Sequence, residues 1–181
     1  RAGVDSAPVD VDVAVVGGGP TGSSAATTLA RLGRSVLVID REVFPRFHIG
    51  ESQLPWVNGI LEKLGAHEKV AQAGFVRKWG ASFTTADGSA SQYADFSRAV
   101  EVPQPQTWQV PRADFDHLLL EHARSQGAVV EHDCRAEEEA IDADGVTLTL
   151  RTCQREIRDG GATRLQLRNC ARSHNRNATS T

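Results

Sequence analysis

The chain has 181 residues, with 20 basic and 23 acidic side chains, a formal net charge of −3 and 40% hydrophobic residues. That is enough chain to bury a core, and the composition lies far from the disordered class. No apolar run approaches the roughly 18–20 residues that a bilayer span requires, and no basic stretch followed by an apolar one marks a secretory signal, so neither a membrane protein nor a secreted one is expected. Three scattered cysteines form no even disulfide framework and no metal-ligand spacing, which points to a reducing, cytoplasmic setting.

Residues 1–10, small and polar, are expected to be a disordered leader. Val11 to Val16 (VDVAVV) is a short β-branched run of the kind buried in parallel sheets. GGGPTG follows, then SSAATTLARL, a small-residue helix closed by Gly33 as its C-terminal glycine. Ser35 to Ile39 is a second buried strand, ending at Asp40. Together these segments predict a β-turn-α-β unit and an α/β fold of the Rossmann kind.

After the loop REVFPRFHIGES, a helix is expected from Ser52 to Leu64, closed by Gly65. Ala81 to Thr85 and Tyr93 to Phe96 have strand character around an Asp87-Gly88 turn, and Thr107 to Val110 is a further strand. Pro111 suits the first turn of a helix reaching Gly127, with Phe115, Leu118, Leu119 and Ala123 on one face. Ala128 to His132 returns as a strand, and Ala140-Ile141 with Val146 to Leu150 form a hairpin around Asp142 to Gly145. The stretch 152–181 is expected to be a basic, irregular or aberrant tail, with 11–151 as the folded domain. From Arg151 onward seven arginines face only Glu156 and Asp159. That tail lacks interleaved aromatic residues, so nucleic-acid binding is not expected.

The strongest chemical signal is Gly17-x-Gly19-x-x-Gly22 between a strand and a helix. The first glycine permits a tight turn and the second lets the backbone approach a pyrophosphate. The third allows close helix–strand packing, while the helix N-terminus faces the phosphate charge. Asp40 lies 23 residues after Gly17, at a strand end, where a carboxylate can accept from ribose hydroxyls. Asp40 also disfavours a 2′-phosphate by like-charge repulsion, an effect that Arg41 softens. FAD and NAD both satisfy this fingerprint. Arg112 opens a helix, where a cation meets the unfavourable end of the macrodipole. Two readings stand for it: contact with an anion such as a cofactor phosphate, or a surface pair with Asp114 or Asp116.

Four stretches together resemble the flavin-dependent halogenase branch of the FAD monooxygenase superfamily, which also contains geranylgeranyl-reductase-like enzymes. They are VVGGGPTGSSAATTLARLGRSVLVIDRE, FPRFHIGESQLPWVNGILEKLG, AGFVRKWGASF and WQVPRADFDHLLLEHARSQGA. The resemblance implies a Rossmann-like FAD-binding domain with a small additional β element, present as the N-terminal portion of a chain at least twice as long. It implies that Gly17, Gly19, Pro20, Thr21 and Gly22 hold the FAD pyrophosphate, and that Asp40 and Arg41 serve the adenosine end. Gly50, Glu51 and Ser52 would approach the flavin, with Ser52 opening a helix, and Arg112 would contact FAD. Lys78 corresponds to the lysine that halogenases place between flavin and substrate, where it directs the oxidised halogen onto an electron-rich ring. The alternative for Lys78 is a solvated residue beside Arg77, and Glu51 suits structural hydrogen bonding better than acid–base work.

The implied reaction uses reduced FAD, O₂ and a halide on a small aromatic substrate, free or carrier-bound, with a separate flavin reductase as partner. The Trp-x-Trp-x-Ile-Pro signature of halogenases does not occur in these residues. Two alternatives therefore stay open: a related aromatic hydroxylase or prenyl-chain reductase, and a non-catalytic FAD-binding remnant. His48, His117 and His122 have no metal spacing, so no metal is expected.

Overall fold

The computed structural model describes residues 9–98, 104–142, 145–152 and 163–168. The chain divides into two compact units, the first formed by residues up to Phe44 and from Leu119 onward, the second by Pro45–Leu118.

In the first unit, β2 (Val13–Val16), β3 (Val36–Ile39) and β8 (Val129–Glu131) form a parallel sheet in the order β2-β3-β8. Strand β3 is buried along its whole length because both of its faces are covered. Val36 and Val38 pack with Ala26 of helix α1 (Pro20–Arg31) and with Leu120 and Ala123 of helix α4 (Arg112–Ser125). Leu37 and Ile39, on the opposite face by the period of two, pack with Val11, Cys134, Leu148 and Leu150. These last residues belong to a second sheet, ordered β1 (Val9–Val11), β11 (Thr163–Arg168), β10 (Gly145–Thr152), β9 (Cys134–Ile141).

The strand expected over 11–16 is two strands in two sheets, β1 pairing with β11 and β2 with β3. The break falls at Asp12, whose carboxylate accepts from the Ser35 N–H and hydroxyl, both at 2.8 Å. Helix α1 begins at Pro20, within the Gly-rich motif, and ends as expected at Gly33. There φ is +78° and the Gly33 and Arg34 amides close back on Ala30 and Leu29. The hairpin forms around Asp142 and Gly145, but β9 begins at Cys134, well before the expected Ala140. One part of the stretch expected to be an irregular tail is a strand. Thr163–Arg168 pairs parallel with β1 and antiparallel with β10. Its alternation, TRLQLR, is too short to register as a pattern without those two partners. Residues 1–8 of the expected leader, and 153–162 and 169–181 of the expected tail, lie outside the described residues.

In the second unit, helices α2 (Trp56–Leu64) and α3 (His67–Gln72) are followed by β4 (Val76–Lys78), β5 (Gly80–Thr84), β6 (Ser91–Asp95) and a 3-10 turn, Phe96–Arg98. Strand β7 (Thr107–Gln109) pairs antiparallel with β4, while β5 and β6 form their own hairpin. The buried side chains here include Leu61, Leu64, Val70, Phe96, Trp108, Val110 and Phe115. Helix α2 starts four residues later than expected, so Ser52 does not open it. Pro55 disfavours helical backbone at Leu54, and the backbone of 51–53 pairs instead beside β7. Gln53 N–H donates to Trp108 O (3.1 Å), and Val110 N–H donates to Glu51 O (2.9 Å). Helix α3 had no sequence expectation; it is six residues long, too short for periodicity to reveal.

Candidate functional site

The two units carry separate clusters of the residues singled out above. In the first unit, β2 delivers the chain into a turn at Gly17, where φ is +106°, a region in which side chains other than glycine are strained. The Gly17 N–H donates to Ile39 O at 2.7 Å, tying the turn to the end of β3. Gly22 faces that turn closely: a Cβ there would stand 1.9 Å from Gly17 O. Only hydrogen fits. Gly18 is less constrained: its Cβ would meet the Leu120 side chain at 3.2 Å and the Phe44 ring at 3.3 Å, which would have to give by a few tenths of an ångström. The spacing rule did not single out Gly18; the unbroken GGG run was the available signal.

Gly19 is the N-cap of α1 in extended conformation and Pro20 is the first helical residue. No side chain caps this end and no acid occupies the first turn. The amides that open a helix have no intrahelical partner, so this end has the donors and the dipole that favour an anion such as a phosphate. Thr21 is exposed beside it.

Asp40 is 6% exposed. Its Oδ2 accepts from Gly18 N–H at 2.7 Å and its Oδ1 from Glu42 N–H at 2.9 Å. The side chain expected to serve a ribose thus also holds the Gly-rich turn against the end of β3. A carboxylate has about four lone-pair positions, so two amide bonds leave acceptor capacity on both oxygens. Arg41 is exposed.

In the second unit, Arg112 is the first residue of α4 and turns back along its own helix. Its Nε and one terminal nitrogen reach both oxygens of Asp116, at 2.7 and 3.0 Å, and the other terminal nitrogen donates to Ile49 O at 2.8 Å. Asp116 is completely buried and also accepts from Arg46 at 3.0 Å. Of the two local readings for Arg112, the structure displays the pair with Asp116, as an interior one rather than a surface one. Two guanidiniums thus meet on one buried carboxylate. Gly50 has φ +106° and a Cβ there would come within 3.0 Å of the Arg112 guanidinium. The 49–50 loop is thus fitted around that side chain. Arg46 had been no candidate, because its partner lies 70 positions away in sequence.

Lys78, the last residue of β4, is half-buried rather than solvated. Its Nζ donates to the Ser52 hydroxyl and to Gln53 O at 3.2 Å, and lies 5.2 Å from the centre of the Phe96 ring. Two candidates from distant stretches, Ser52 and Lys78, are therefore joined. Phe96 and the Gln53 carbonyl were not foreseen, since no local pattern marks a residue as a lysine's neighbour. Glu51 is exposed, with its carbonyl engaged by Val110. Among the described residues no three His, Cys, Asp or Glu side chains are grouped to hold a metal, and no helix is long and apolar enough to cross a membrane.

Residues 10–166 match the family described as "FAD binding domain". A flavin-dependent halogenase of Armillaria mellea is 44% identical over 126 residues, covering 68% of this chain and 24% of that protein. A chlorinase of Pseudomonas fluorescens, named for its pyrrole-2-carbonyl carrier-protein substrate, is 38% identical over 137 residues, covering 67% of this chain and 30% of its own length. Among solved structures, the myxobacterial chondrochloren halogenase, described as FAD-dependent, superposes with a TM-score of 0.78 at 32% identity. That likeness covers 88% of this chain and 36% of the other. The chain thus spans about a quarter to a third of the lengths of the relatives it matches.

Proposed function

Because this chain belongs to the FAD-binding domain family, we propose that the protein works as a flavin-dependent halogenase. It uses reduced FAD, O₂ and a halide to place halogen on an electron-rich aromatic substrate. The observation that carries this reading is the lysine. Lys78 is held at its head by the Ser52 hydroxyl and the Gln53 carbonyl, beside the Phe96 ring, rather than waving in solvent. An ammonium in a fixed, partly dry position can donate to an oxidised halogen species and aim it at a ring.

Each unit contributes by its own chemistry. The Gly17–Gly22 turn and the uncapped start of α1 receive the pyrophosphate, with Pro20 and Thr21 in the first turn, while Asp40 and Arg41 serve the ribose end. Gly50, Glu51 and Ser52 form the stretch assigned to the flavin, and Arg112 keeps positive charge beside it. Reduced FAD, when bound, supplies the electrons with which O₂ is activated. The protein's own task is to bind the cofactor, exclude water and place Lys78. A carrier-bound substrate is supported by the carrier-protein chlorinase among the relatives. A separate flavin reductase belongs to this reading because the cofactor must arrive reduced.

The test is an assay of the whole protein with reduced FAD, O₂ and chloride or bromide on aromatic substrates. Halogenated product is expected, and Lys78→Met should lower its formation by about 100-fold or more, a magnitude typical of a proton-donating group, with FAD binding unchanged. Hydroxylated product without halogen would replace this reading with the hydroxylase one.

A further inference from the structure

Three clusters outside the Gly-rich turn hold groups that could act on a ligand. They are the Arg46–Asp116–Arg112 triad, the buried Asn58 carboxamide bonded to Gln106 O, and the surroundings of Lys78. The last carries an inference furthest. We propose that Ser52 is the positioning residue of Lys78: its side chain serves the lysine by accepting the ammonium's hydrogen bond. The proposal rests on the catalytic reading of Lys78 but not on the presence of cofactor.

The strand register makes the contact. Gln109 of β7 lies opposite Val76 on one side and opposite Ser52, through an isolated bridge, on the other. Residues directly opposite one another share a face, and two positions along a strand returns to that face. Ser52, Gln109, Val76 and Lys78 therefore stand on one face of a three-stranded array, and the four-carbon stem of lysine reaches across it.

The remaining anchors are tied to backbone as well. The Gln53 carbonyl that accepts the second bond belongs to a residue whose N–H donates to Trp108 O at 3.1 Å. The Phe96 ring is 7% exposed, and its residue's N–H donates to Trp79 O at 3.0 Å. A lysine ammonium is otherwise a freely rotating point charge with three equivalent donors. Two oxygen acceptors and one aromatic face convert it into an oriented group. Because Ser52 accepts from Lys78, its own hydroxyl hydrogen stays available to a further acceptor. Ser52 is exposed, so that hydrogen is open to a ligand. The lysine and the Gly50–Ser52 stretch assigned to the flavin are consequently one linked element.

The chain has only three lysines, Lys63, Lys69 and Lys78, which makes the inference directly measurable. Trace acylation of the 181-residue chain with an N-hydroxysuccinimide ester, read by peptide mass spectrometry, reports each amine separately and needs neither FAD nor turnover. Lys63 and Lys69, both exposed, serve as internal references. Lys78 should react more slowly than either. Ser52→Ala should raise its rate about fivefold relative to the references, the equivalent of one net hydrogen bond. Ser52→Thr, which keeps the hydroxyl, should hold the unmutated rate. An unchanged Lys78 rate in Ser52→Ala, or a threonine variant that behaves like the alanine one, would overturn the proposal. A Lys78→Met protein that still halogenates would instead remove the catalytic reading and leave the positioning intact.

Discussion

The Gly17–Gly22 turn of the first unit presents almost no side chain: its geometry is made of backbone amides, the positive φ of Gly17, the close fit of Gly22 against it and the single carboxylate of Asp40. The candidate residues of the second unit are the reverse, long side chains in two clusters, Lys78 in one and Arg46 with Arg112 in the other, each braced by a polar partner far from it in sequence or on its own helix. The first kind of site is rigid because the backbone has few allowed conformations and a helix end fixes its direction. The second is rigid only while its partners stay in place. Replacing one atom in the first distorts the fold, whereas replacing one atom in the second releases a side chain.

That contrast can be broken by mutation, and the largest effect is expected at Gly22. Gly22→Ala places a methyl group 1.9 Å from Gly17 O. The obstacle is backbone, which cannot swing aside, so a loss of about 3 kcal/mol or more is expected from overpacking, read as a lowered urea midpoint. In the second unit, Asp116→Ala removes a fully buried carboxylate shared by two guanidiniums whose side chains are 12% and 13% exposed. Leaving those charges without it should cost about 3 kcal/mol, read as a lowered urea midpoint. An unchanged midpoint would mean that the Arg46–Asp116–Arg112 cluster carries no stability.

Asp40→Asn tests the first unit more gently. An amide oxygen can replace only one of the two acceptors, so one of the Gly18 and Glu42 amides loses its partner. A loss of about 2 kcal/mol is expected for a hydrogen bond to a charged group, together with weaker binding of ADP-ribose, measured by calorimetry. Undiminished ADP-ribose affinity would confine Asp40 to bracing the turn.

The smallest effect belongs to the β5–β6 turn. The Asp87 carboxyl is lowered from 3.8 to about 2, chiefly by the Thr85 hydroxyl and then by the Ser89 amide and hydroxyl. A depressed carboxyl contributes stability above its ordinary value and loses that contribution as pH falls toward 2. Because the group is fully exposed, an NMR titration should show the low midpoint while the acid unfolding of the chain barely responds to Asp87→Ala.

Much of the first unit is legible in the sequence. Val36–Ile39 is apolar at every position because both faces are covered, and such a run announces itself in a sequence. The Gly-rich turn and Asp40 are linked by a spacing that the geometry of a β-turn-α-β unit dictates, and Gly33 marks a helix end because of its positive φ. These signals are local: each depends on residues close by in the chain. The strands that failed to show, β4, the early part of β9 and all of β11, depend for their definition on partners across the sheet. The same is true of the residues at 51–53, where a helix was expected and strand-like pairing beside β7 took its place once Pro55 had delayed the helix.

What the sequence by itself determined, then, is the α/β class, the Gly-rich turn with its carboxylate, and the identity of Lys78, Ser52 and Arg112 as residues worth attention. Tertiary structure decided what those three touch. Lys78 and Ser52 are 26 positions apart and Arg112 and Ile49 are 63 apart. Bonds of that span follow from strand register and helix placement, and those are settled by burial of the core as a whole. A side chain's type is written in the sequence, but its partner is chosen only when the chain has folded around both.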